Sequence, residues 1–129
     1  IPAYAKAPNT RRFELRNPDA TCNPYFCYAA ILMAGLDGVI KKIDPRTNGW
    51  GPFDFNLYDL PEEEKKKLEV LPSSLDAALD ALEADHNYLT AGGVFPKALL
   101  DKFVASKRKD CRDIAATPHP LEFEKYYNL

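Results

Sequence analysis

The run from Ala20 to Leu36 carries no charged residue, and it constrains the fold more than any other part of the chain. Within it Asn23-Pro24 opens a helix, since asparagine is a good N-cap and proline suits the first helical position. Tyr25, Ala29, Leu32, Leu36, Ile40 and Ile43 then recur at spacings of three and four. Phe26, Ala30 and Met33 add a second apolar stripe over the first half. The pattern predicts a core helix over 23–43, apolar on most sides and therefore buried on most sides, with its first half deepest. Asp37, Lys41 and Lys42 mark where it emerges toward solvent. At 17 residues, interrupted by Asn23-Pro24, the uncharged run is marginal even for the shortest membrane span and reads as a core helix instead.

A helix of that kind needs other layers around it, and the rest of the chain offers few. After a proline-bearing lead-in over 1–8, Arg12, Glu14 and Arg16 alternate with Phe13 and Leu15, the period of a strand with a charged front and an apolar back. Asn17-Pro18-Asp19 ends it. From 44 to 61 the periodicity collapses into a long loop punctuated by Pro45, Gly49, Gly51, Pro52 and Pro61. That loop holds Trp50, Phe53, Phe55, Leu57 and Tyr58, aromatics suited to a contact surface if exposed. Glu62 to Lys67 places Glu–Lys pairs at helical spacing. Helices are expected over 73–86, with Leu75, Ala78, Leu79 and Leu82 inward, and over 96–110, with Leu99, Leu100, Phe103 and Val104 inward and Arg108 among the outward basic residues. Ser73 and Asp76 have the spacing of a capping box. Thr90-Ala91-Gly92-Gly93 is a turn between these helices. Thr117-Pro118-His119-Pro120 breaks the chain before an aromatic tail over 121–129.

The expected fold class is mainly α with one or two β-strands. One strand and three or more helices cannot complete a sheet-based domain, although 129 residues is a domain's length at roughly 100–200 residues each. The chain also begins with Ile1 rather than Met, so processing or truncation is expected.

Seventeen Lys+Arg against nineteen Asp+Glu leave no excess cation for phosphates, which argues against nucleic-acid binding. No N-terminal apolar block suggests secretion. Cys22, Cys27 and Cys111 are odd in number and lack metal-ligand spacing, so they read as buried free thiols of a reducing, cytoplasmic protein. His86 and His119 are too far apart to suggest a metal cluster, and no nucleophile elbow, phosphate-binding glycine loop or zinc helix is present.

The charged strand face carries the most chemistry. Arg12 and Arg16 contribute +2 against the −1 of Glu14, a surplus suited to carboxylate or phosphate oxygens. Glu14 between them suits a hard divalent cation. A plain surface ion-pair ladder would have the same pattern.

The motifs extend this reading. Arg11-Arg12-Phe13-Glu14-Leu15-Arg16-Asn17-Pro18-Asp19 resembles the R-R-[IL]-E-x-R-x-P-D strand of type I glutamine synthetases, the bacterial and archaeal form. The resemblance continues through Asn23-Pro24-Tyr25, Met33-Ala34-Gly35-Leu36-Asp37-Gly38 and Lys42-Ile43-Asp44-Pro45. It resumes at Asn56-Leu57-Tyr58-Asp59-Leu60-Pro61, Leu89-Thr90-Ala91-Gly92-Gly93-Val94-Phe95, Thr117-Pro118-His119-Pro120 and Glu122-Phe123-Glu124. It implies that residues 1–129 are a C-terminal fragment of the α+β catalytic domain of an enzyme joining ammonia to L-glutamate with ATP, through a γ-glutamyl phosphate.

By the same resemblance, Glu14 is a ligand of a Mg²⁺ or Mn²⁺ ion, Arg16 binds glutamate and steadies the transferring phosphoryl group, and Arg12 lies toward the nucleotide phosphates. Tyr58 matches the tyrosine that an adenylyltransferase modifies in one branch, and the 44–61 loop its exposed setting. The chain departs from that branch in Trp50-Gly51-Pro52-Phe53-Asp54-Phe55 and at Asn9, where the branch carries lysine. The tail resembles the segment joining two hexameric rings into a homo-oligomeric dodecamer. The remaining metal ligands and the ammonia site lie upstream in the family, so the fragment alone is expected to be inactive. A reading from a different class is a non-catalytic helical module working through protein contacts, with Trp50, Phe53, Phe55 and the tail as its surface.

Overall fold

A computed structural model of the chain describes residues 6–127, so the parts of the expected lead-in and tail at 1–5 and 128–129 lie outside the described residues. Six helices follow in order: α1 (Pro24–Ile40), α2 (Glu62–Lys65), α3 (Leu75–Ala84), α4 (Asn87–Thr90), α5 (Lys97–Ala115) and α6 (Pro120–Tyr126). Short 3-10 turns occupy Pro8–Thr10, Leu57–Asp59 and Ala91–Gly93. The mainly helical class expected from sequence is the one observed. Among the described residues there is no strand, and 11–16 takes no regular secondary structure. The alternation there is genuine, but a strand's ladder bonds need a neighbouring strand, and no described segment supplies one.

The buried core is Leu79, Leu89, Phe95, Leu100 and Val104. Leu89, Phe95 and Leu100 form one cluster, against which Ala29, Ala30 and Met33 of α1 pack along with Leu82, Tyr88 and Leu99. Helix α3 lies against α5, and α1 against α4. The turn that folds α5 back needs Gly92 and Gly93, whose φ values of 64° and 75° are left-handed. It is closed by the Phe95 amide donating to the Leu89 carbonyl at 3.1 Å. Phe26 meets Phe95 edge to face, with centroids 6.1 Å apart.

Helix α1 departs from its expected burial. Only its Ala29–Ala30–Met33 side faces the core, while Tyr25 is 83% and Leu32 62% exposed. Tyr28, Leu36, Val39 and Ile40 are exposed as well. An all-round apolar helix needs two covering layers, and α4 with the following turn makes one. Its end is also earlier than 43. The Lys42 amide donates to the Val39 carbonyl at 3.2 Å and the Ile43 amide to that of Gly38 at 3.0 Å. With Lys42 at φ 53° this is a Schellman stop, with lysine in the left-handed place glycine usually takes.

The other helices follow the periodicity with local shifts. Leu79 and Leu82 turn inward on α3, whereas Leu75 and Ala78 are exposed. Ser74 rather than Ser73 caps α3, accepting from the Ala77 amide at 3.1 Å, so Asp76 completes no capping box. Leu100 and Val104 are buried on α5, Leu99 is half-buried, and Phe103 is exposed. Helix α5 runs past 110, supported by Lys107–Asp110 at 2.7 Å and by the Lys109–Asp113 pair. The break at 117–120 is itself a helix start: His119 Nδ1 accepts from the Leu121 amide at 3.1 Å and Glu122 Oε1 from the His119 amide at 3.3 Å, a reciprocal cap that makes the aromatic tail helical as α6. Glu62–Lys65 at 2.9 Å and Glu63–Lys66 at 2.8 Å are the Glu–Lys pairs expected at helical spacing.

Candidate functional site

The segment 11–16 keeps the side-chain alternation of a strand without belonging to a sheet. Glu14 and Arg16, two residues apart, meet on one side: Arg16 Nε donates to Glu14 Oε1 at 2.6 Å, with one terminal guanidinium nitrogen 2.5 Å from the same oxygen. The arginine is 83% exposed, so most of its five N–H donors remain turned to solvent and open to an anion. Arg12 has the same parity in the segment. Phe13 and Leu15, of the opposite parity, line an open apolar depression of about 440 Å³ together with Cys22, Cys27, Tyr28 and Ile31. The apolar back of the segment thus rests over the start of α1, and the charged front is left outward.

The donor set does not make a cation site by itself. Among the described residues no three His, Cys, Asp or Glu side chains gather as metal ligands. Glu14 offers one carboxylate, already engaged by Arg16. Mg²⁺ asks for near-octahedral oxygen coordination, which one side chain cannot supply.

Tyr58 sits apart from this pair. The Asn56 side chain accepts from its amide at 3.2 Å and starts the Leu57–Asp59 turn, and the Tyr58 ring is 88% exposed. It lies at the edge of an open depression of about 690 Å³ formed with Trp50, Phe53, Leu57, Leu68 and Leu71. The start of the 44–61 loop is held by Asp44 and Arg46, whose side chains pair at 2.8 and 3.0 Å. Arg46 keeps the Asp44 carboxyl below its ordinary range. Phe53 and Phe55 stack edge to face with centroids 5.7 Å apart.

Two groupings escaped the sequence reading. Arg108 bridges α5 to α3, donating to Asp76 Oδ1 and Glu83 Oε2 at 2.7 Å each, to the Asp76 carbonyl at 3.2 Å and to Asp80. Glu83, then Asp80 and Asp76, raise the pKa of its guanidinium. The signal was present as three acids at helical spacing on 76, 80 and 83, but the partner is 25 to 32 residues away. The cysteines also differ from expectation: Cys22 is exposed, and Cys27 and Cys111 are half-buried. His86 closes α3, its Nδ1 3.2 Å from the Leu82 carbonyl and 3.1 Å from that of Glu83.

Comparison with known proteins extends the resemblance across the chain. The family described as "Glutamine synthetase, catalytic domain" matches residues 1–126. Glutamine synthetase of Neisseria gonorrhoeae is 53% identical over 119 residues, which is 92% of this chain and 24% of that protein. That of Pasteurella multocida is 50% identical over 127 residues, 98% of this chain and 26% of that protein. That of Salmonella typhimurium is 47% identical over 129 residues, all of this chain and 26% of that protein. The chain therefore spans about a quarter of the length of these relatives. The chain belongs to the glutamine synthetase family, in its bacterial type I form, and the family match lies within the catalytic domain.

Proposed function

We propose that the chain is the C-terminal part of the catalytic domain of a cytoplasmic glutamine synthetase, a homo-oligomeric ligase that joins ammonia to L-glutamate at the expense of ATP. Identity of 47–53% to bacterial glutamine synthetases over nearly the whole chain carries this reading. The outward Glu14–Arg16 pair supports it chemically. In the proposed reaction the γ-carboxylate of glutamate attacks the γ-phosphorus of ATP and ADP leaves. Ammonia then attacks the resulting acyl phosphate, phosphate departs, and the nitrogen loses a proton to give glutamine.

Arg16 serves both halves. Its free N–H donors hold a carboxylate oxygen of glutamate and then offset charge on the transferring phosphoryl group. Arg12 adds a second cation toward the nucleotide phosphates. The Glu14 carboxylate aligns the Arg16 fork and contributes one oxygen ligand toward the divalent cation of the whole enzyme, Mg²⁺ or Mn²⁺. The other ligands belong to the three quarters of the relatives' length that this chain does not span. On this reading the 129 residues alone do not synthesise glutamine. Tyr58, on its exposed turn, is the proposed site of adenylylation.

The test is made in a longer enzyme carrying these residues. Glu14→Ala and Arg16→Ala should each lower kcat/KM about 100-fold or more, the scale of losing one preorganised electrostatic contact. Near-normal turnover by Glu14→Ala would overturn the assignment. Turnover of glutamate, ammonia and ATP by the 129-residue chain at the rate of the longer enzyme would overturn its proposed inactivity. The interaction-module reading predicts instead partner binding by this chain alone that is indifferent to Glu14→Ala.

A further inference from the structure

Helix α1 is entered through a cap whose geometry brings two thiols together. Asn23 is the N-cap, its Oδ1 accepting from the Tyr25 and Phe26 amides at 3.0 and 3.3 Å. That register makes Cys22 the residue just before the cap and Cys27 the fourth helical residue. In a helix start of this type those two positions face each other and usually carry an apolar staple. Here the staple is two cysteines, and both line the same depression beneath Phe13 and Leu15. Cys22 is exposed and Cys27 half-buried, and no disulfide joins them. Burial, and then the neighbouring Cys22 thiol, pushes the Cys27 thiol up.

We propose that Cys22 and Cys27 are a redox-modification site, a dithiol that closes to an intramolecular disulfide when it meets a small-molecule disulfide such as oxidised glutathione. The inference is independent of the catalytic reading. Cys22, the exposed partner, attacks first. Its thiolate displaces one thiolate from the small disulfide and leaves a mixed disulfide on Cys22. The Cys27 thiolate then attacks the Cys22 sulfur, the mixed bond breaks, and the second small thiolate departs. Two cysteine protons end on the two released thiols, and the protein is oxidised by two electrons while the small disulfide is reduced by two. Cys27 is the resolving thiol because its raised pKa and partial burial make it slow toward solvent but not toward a sulfur already beside it. Cys111, on α5, is raised by burial first and then by Asp76, and stands outside the pair.

The test incubates the 129-residue chain, and in parallel a longer glutamine synthetase polypeptide carrying it, with oxidised glutathione. Acid quench, alkylation and mass spectrometry follow. The expected product of both is lighter by two hydrogens, carries no glutathione, and has lost alkylation at Cys22 and Cys27 only. Cys27→Ser should accumulate one glutathione on Cys22. Cys22→Ser should leave Cys27 largely unmodified over the same interval. Stable glutathione on Cys22 with Cys27 present, or equal adduct formation on all three cysteines, would overturn the proposal.

Discussion

Arg108 shows how a single side chain can hold two helices in register. It meets Asp76, Asp80 and Glu83, so one face of α3 is tied to α5 through one guanidinium. Removing it leaves three like charges at helical spacing without their common partner. Arg108→Ala should therefore lower the thermal midpoint, Arg108→Lys should fall between, and added salt should shrink the difference because partly exposed ion pairs are screened. Scanning calorimetry at low and high salt checks this. Other carboxylates set the acid response. Arg46 holds the Asp44 carboxyl below the ordinary carboxylate range, and Lys107 does the same for Asp110. Their folded pKa values lie below the unfolded ones, so their contribution is full above the unfolded value and is lost as pH falls through the folded value. The acid limb of stability should steepen below about pH 4 and flatten in an Asp44→Asn, Asp110→Asn double variant, as read by urea midpoints across pH. Arg108 was expected to face outward because nothing in a linear spacing reveals a partner 32 residues away.

At the scale of elements, the start of α1 was more legible than its end. Asn23-Pro24 announced the start of α1 and the side chain caps it as expected. Asn23→Ala should cost about 1 kcal/mol of helix stability, seen as lost far-ultraviolet ellipticity and an earlier urea midpoint. The C-terminal stop was not legible, because Lys42 rather than glycine occupies the left-handed position. Lys42→Gly should stabilise the chain by about 1 kcal/mol by relieving that conformation, measured by the same midpoint. A loss of stability would mean that the lysine side chain supplies more than its backbone costs. Helix α6 was hidden for a related reason. Proline on both sides of His119 reads as a break, whereas its Nδ1 and the Glu122 carboxylate form the two halves of a cap.

At the scale of the molecule, the principal fact is the uncovered face of α1. Tyr25, Tyr28, Leu32, Val39 and Ile40 stand in solvent on a helix whose composition is that of a buried one. Among the described residues no helix is long and apolar enough to cross a membrane. A contiguous apolar surface of this kind drives association. The 129-residue chain should show an average mass that grows with concentration in light scattering, and Leu32→Glu with Val39→Glu should lower it. A monomer at millimolar concentration in the unsubstituted chain would contradict this.

Local chemistry was settled by the sequence alone: the cap at Asn23, the Gly92-Gly93 turn, the Glu–Lys pairs of α2, and the same-side placement of Glu14 and Arg16. Each depends on neighbours within a few residues, and spacing encodes such neighbours directly. What covers α1, whether 11–16 finds a strand partner, and which helix Arg108 faces were decided only in three dimensions. Burial, sheet pairing and long-range ion pairs are properties of what a segment meets, and a periodic pattern states only what the segment needs.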